Sequence, residues 1–115
     1  MPESFNLSPP EDSWKAATAG GDAPGQVFSS RVTTGREQQP HRIGAWRGMP
    51  GRYERPNGMP WSETFVVYKG TGTITFQDET FALAPGSIVN LRKGVPYVLE
   101  IASVLEKMAV ITEHP

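Results

Sequence analysis

No cysteine occurs in the 115-residue chain, so neither a disulfide framework nor a thiolate metal centre is available. Histidine is almost missing too, with only His41 and His114 present, which leaves little of the neutral nitrogen donor that first-row metals favour. Charge of one sign is also lacking. At a formal net charge of −1 and an isoelectric point near 6.1, the chain has no basic field to draw nucleic acid or anionic lipid. No apolar run approaches the roughly 18 residues that span a bilayer. The opening stretch, MPESFNLSPPEDSW, is acidic and contains proline, without the basic segment and apolar core of a secretory signal. These absences lead to the expectation of a soluble, cytoplasmic protein with no nucleic-acid and no membrane partner.

What the chain does have is punctuation. Twelve glycines and eleven prolines fall between short apolar runs instead of gathering in one block, which favours β structure over helix. From residue 42 the runs read RIGAWRG, GRYERP, SETFVVYK, GTITFQ, TFALAP, SIVNLR, YVLEIA and VLEKMAVIT. Most are rich in β-branched or aromatic residues, and eight such strands suggest an all-β sandwich or barrel. KGTG at 69–72 and QDE at 77–79 have the chemistry of hairpin turns, which implies antiparallel neighbours. A helical pattern is confined to DSWKAATA, where Asp12 or Ser13 would cap one or two turns. A chain of this size makes one domain. Residues 1–25 are polar and read as an N-terminal arm anchored by Trp14, and residues 26–115 as the folded body.

Three stretches carry a family resemblance. Glu63, six residues and then Gly70 are similar to the second half of the first cupin motif, in which two histidines precede the glutamate. PGSIVNLRKGVPY resembles the second motif, with Gly86 opening a strand, Gly94 eight residues on, and Tyr97 at the place of that motif's histidine. Upstream, GAWRGMPGRY looks like a segment of the small cupins that include ethanolamine-utilisation and ureidoglycine aminohydrolase-like proteins. The resemblance covers about residues 42–112. It implies a double-stranded β-helix, the antiparallel jelly-roll barrel of the cupin superfamily, in agreement with the eight-strand reading. It also implies a homodimer in which the arm or an edge strand crosses to the partner.

The same resemblance shows where the chain departs from the pattern. At the positions of the three histidines and one glutamate stand Asn57, Met59, Tyr97 and Glu63. A thioether takes soft ions only and an amide is a weak donor, so no ordinary transition-metal site is expected. An ion at Glu63 would be a weakly held divalent one, completed by water or substrate. Neither His41, ahead of the expected sheet, nor His114, the penultimate residue, is placed to substitute.

Strand alternation puts Glu63, Phe65 and Val67 on one face, and the resemblance turns that face into the barrel. A carboxylate there is partly desolvated and needs a donor; Trp61, Tyr97, Arg92 and Trp46 are the nearby candidates. Two readings of Glu63 stand side by side. In one it faces a small-molecule pocket lined by Trp46, Tyr53, Trp61, Arg92 and Tyr97. In the other it is paired with an arginine while the rings simply fill the barrel.

Six arginines between residues 31 and 55, against Glu37 and Glu54, would suit an anionic metabolite at the barrel mouth, although most such residues face solvent. No phosphate loop and no nucleophile elbow is visible. The functional expectation is a small-molecule-binding cupin that holds a small polar or anionic ligand inside the barrel. The alternative is a small enzyme of isomerase, lyase or aminohydrolase type with Glu63 as catalytic base and Tyr97 as catalytic acid.

Overall fold

The computed structural model describes residues 11–16, 27–31 and 41–112. A single 3-10 turn, Glu11–Ser13, is followed by eight strands: β1 (Lys15–Ala16), β2 (Val27–Arg31), β3 (His41–Gly48), β4 (Gly51–Arg55), β5 (Ser62–Phe76), β6 (Glu79–Leu83), β7 (Ile88–Leu91) and β8 (Tyr97–Thr112). The all-β, antiparallel expectation is met. Over its described residues, 12–16, the segment DSWKAATA is not helical as expected: the chain makes one 3-10 turn at Glu11–Ser13 and enters β1, which pairs with β2. A helix of one or two turns is marginal on its own, and pairing with β2 gives Lys15 and Ala16 backbone partners instead. The boundary expected at residue 25 and the position of His114 lie outside the described residues. His41 does not precede the sheet but opens β3, opposite Thr112.

The strand count agrees with the sequence while the division differs. SETFVVYK and GTITFQ are one strand, because KGTG does not turn the chain back but bends it, with register irregularities between Val67 and Gly72. Gly70 permits that bend at φ 85°, where a Cβ would run into the Val104 carbonyl of β8. YVLEIA and VLEKMAVIT likewise join as β8. QDE does make the turn: Gln77 and Asp78 both have positive φ (53° and 64°) between the paired Phe76 and Glu79, the conformation that suits a two-residue hairpin.

Two long strands therefore run through both walls of a barrel. In one wall the order is β1, β2, β3, the second half of β8, the first half of β5, and β7. In the other it is β4, the first half of β8, the second half of β5, and β6. Phe65, Val67, Leu91, Leu105 and Ala109 from the first wall meet Tyr53, Ile74, Leu83, Leu99 and Ile101 from the second in a single core. Alternation along each strand selects these residues, and closing the sheet on itself buries them. Among the described residues no helix is long and apolar enough to cross a membrane.

Candidate functional site

The barrel mouth is set by two loops, 56–61 and 92–96. Gly94 N–H donates to the Met59 carbonyl (3.0 Å) and Lys93 N–H to Ser62 Oγ (2.9 Å). The loops approach so closely that a Cβ on Gly58, at φ 66°, would lie 2.6 Å from the backbone of Gly94 and Val95. Below them Glu63 is 5% exposed, on the same face as buried Phe65 and Val67. Two donors reach its carboxylate: Trp61 Nε1–H at 3.3 Å on Oε1, and Lys107 Nζ at 3.1 Å on Oε2.

Lys107 lies opposite Val67 across the β5–β8 ladder, whereas Glu63 lies opposite Ile111. The lysine stem must span this diagonal, and in doing so it carries the ammonium past the Phe65 ring, 4.1 Å from its centroid, and within 5.2 Å of Trp46. Ring faces attract a cation and are better neighbours for it than aliphatic carbon. Trp46 in turn meets Tyr53 edge-on at 5.7 Å, and the Tyr53 hydroxyl donates to the Met49 carbonyl at 2.6 Å. Tyr97 is buried on the facing wall, at the start of β8 beside β4, where loss of water pushes its phenol above the usual value. The Lys107 ammonium works against that shift and Glu63 adds to it, and Arg55, opposite Tyr97 in the ladder, interacts with the phenol as well.

Of the residues expected from the sequence, Trp46, Trp61 and Glu63 come together at one wall, and Tyr97 and Tyr53 face them from the other, Tyr53 against Trp46. Trp61 donates to Glu63 as expected, whereas Arg92 is exposed beyond the end of β7. Sequence reasoning missed Lys107. Its signal was present in VLEKMAVIT, where two charges interrupt a run too apolar to be an outer strand face. Of the positions matching the metal-binding pattern, Asn57 is exposed and Met59 packs against the core. No group of three metal-binding acids, histidines or cysteines occurs among the described residues. One carboxylate already bonded to an ammonium, with an amide, a thioether and a phenol at the other positions, does not fit a transition metal.

The other acid in that run, Glu106, faces outward and is nonetheless 2% exposed. Arg47, opposite it on β3, reaches Oε1 at 3.2 Å, and Lys69 reaches Oε2 at 3.3 Å. Arg47 also grips Glu11 with two hydrogen bonds (2.8 and 2.9 Å) and lies under the Trp14 ring at 4.4 Å. Paired with two carboxylates, its guanidinium holds its proton more tightly than usual. The Tyr68 hydroxyl and the Trp14 indole N–H are buried without a hydrogen-bond partner. Residues 11–14 are thus clasped to the outer wall directly behind the Lys107 site. A separate cleft of about 280 Å³, lined by Phe76, Phe81, Ile88 and Asn90 among others, opens where β6 and β7 leave β5 at different levels; none of the inner-wall residues borders it.

A barrel of two antiparallel walls sharing two long strands is the architecture of the cupins, and this chain has the cupin fold. It superposes on the ethanolamine-utilisation protein EutQ of Salmonella typhimurium with a TM-score of 0.74 and 15% identity, covering 92% of this chain and 85% of that one. For EutQ of Clostridium difficile the TM-score is 0.68 at 15% identity, over 85% of this chain and 79% of that one. For ectoine synthase of P. lautus it is 0.67 at 17% identity, over 77% and 65%. No family model matches the sequence, and no curated protein does. The EutQ-type likeness expected from the sequence is present at the level of the fold.

Proposed function

We propose that the barrel binds a small polar or anionic metabolite between Trp46, Trp61 and Glu63 of one wall and Tyr97 of the other, and that it does so without a transition metal. One observation carries this reading. A buried carboxylate and a buried ammonium stand among aromatic faces beneath a loop-built mouth, with a protonated phenol beside them. Pockets for small ligands are mostly apolar with a few fixed polar groups of this kind. Thermal-shift screening of small carboxylic acids, amino acids and amides against the purified protein, followed by calorimetry, tests it. A hit should weaken at least tenfold in Tyr97→Phe or Trp61→Phe; a hit indifferent to both substitutions refutes the placement.

The enzymatic alternative keeps one supporting observation, the placement of the Tyr97 hydroxyl within electrostatic reach of Glu63 and Lys107, an acid–base pair in position though with a phenol that burial makes a weaker acid. Ectoine synthase and a salicylate 1,2-dioxygenase, both named as enzymes, share the fold. Under that reading Glu63→Gln and Tyr97→Phe abolish turnover with modest change in affinity, whereas a binding protein shows altered affinity alone. A homodimer belongs to the same proposal, and sedimentation of the full-length chain measures it.

A further inference from the structure

Among the described residues the buried charged side chains are Glu63, Glu106 and Lys107. Glu106 is served from the outer wall by Arg47 and Lys69. On the inner wall Lys107 stands against one carboxylate oxygen at 3.1 Å and two ring faces at 4.1 and 5.2 Å. A carboxylate and two π faces together are the surroundings that let a cation persist away from water. The positions where imidazoles would stand carry Asn57, Met59 and Tyr97, none of which is a cation.

We infer that Lys107 is the resident cation of this barrel, a tethered ammonium that gives Glu63 the counter-charge a bound metal would otherwise supply, and that it thereby selects against divalent ions. A dication at the free edge of Glu63 would meet the ammonium a few ångströms away in a poorly screened interior, where like charges repel strongly. The replacement is more than a loss of ligands. With imidazoles absent but no ammonium, Glu63 would remain an acidic site open to any hard cation. For its functional meaning the inference rests on the ligand-binding reading above: such a pocket recognises its ligand by hydrogen bonds and ring contacts, and chelators leave it unchanged.

The test is chemical rescue in the full-length protein. Lys107→Ala should lower the melting temperature by more than about 10 °C. Methylammonium or ethylammonium chloride should restore a large part of that loss, whereas sodium chloride at equal ionic strength should not. Manganese or zinc chloride should stabilise Lys107→Ala and leave the wild type unmoved. Should Lys107→Ala fail to fold, Glu63→Gln combined with Lys107→Met takes its place: it should be more stable than Lys107→Met alone, because both charges leave together. Stoichiometric divalent metal bound by the wild type, rescue by sodium as good as by alkylammonium, or a double variant no better than Lys107→Met would each overturn the inference. A screen that finds no ligand would sink the binding proposal and leave this result standing.

Discussion

Replacing Arg47 by methionine keeps most of the side-chain stem and removes the guanidinium, and it should destabilise the protein by about 3 kcal/mol, the usual scale for stranding one member of a buried ion pair. The structure gives the size. Arg47 and Glu106 are 3.2 Å apart with both side chains largely out of water, so at an effective dielectric of about 20 their attraction is about 332/(20 × 3.2), or about 5 kcal/mol, before desolvation is subtracted. Lys69 remains beside Glu106 in the variant, but its own side chain is 62% exposed and offers weaker compensation. Glu11, at the far end of the guanidinium, is open to solvent, so Glu11→Gln should change stability far less. Urea unfolding followed by circular dichroism reads the difference. With a slope of about 1.5 kcal/mol per molar, the midpoint for Arg47→Met should fall by roughly 2 M. In a Glu106→Gln background most of that effect should disappear, since the stranded charge is then absent. An Arg47→Met loss as small as that of Glu11→Gln, or one unchanged in the Glu106→Gln background, would refute the claim that Arg47 acts through Glu106.

The phenols of Tyr53, Tyr68 and Tyr97 are all raised above 10.0, chiefly by burial. The folded state holds these protons more tightly than the unfolded chain, so their contribution is complete below pH 10 and is lost as pH climbs through the raised values. Tyr97→Phe should flatten that alkaline decline, as followed by melting temperature against pH. Glu11 moves the other way, lowered from 4.5 chiefly by its hydrogen bonds to Arg47. Its contribution is present above pH 4.5 and lost as pH falls through the depressed value, so the melting-temperature gap between wild type and Glu11→Gln should close in acid and also in high salt. Gly58→Ala should cost on the order of 1–3 kcal/mol by forcing the mouth loops apart. Gly86→Ala, with positive φ but no atom within 4 Å of the added Cβ, should cost less in the same urea series.

The barrel was legible in the sequence because its evidence is local. Period-2 runs and the spaced motifs each need only a few residues; alternation puts Glu63, Phe65 and Val67 on one face, and the motif resemblance turns that face inward. The strand boundaries were harder. Glycines at 70 and 72 signal a turn in the sequence, yet β8 runs unbroken alongside and holds β5 through the bend, a constraint carried by residues some thirty positions away. The partner of Glu63 was hidden for a related reason. Trp61, two positions away, was within reach of sequence reasoning, whereas Lys107 is 44 residues distant and its place depends on the ladder register. The clasp of Glu11 and Trp14 onto Arg47 was beyond it too: Trp14 could be named as an anchor, but only the packed outer wall shows what it anchors to.

Glu106 and Lys107 are successive residues on β8, one facing each side of the same wall. Were β8 to slide by a single position against its neighbours, the acid would swing inward next to Glu63 and the amine outward beside Arg47 and Lys69, so that like would meet like on both surfaces. Two adjacent opposite charges thus act as an alignment mark for the longest of the described strands. They penalise a misthreaded barrel that apolar patterning, with hydrophobic residues on either side of this point, would tolerate far more readily.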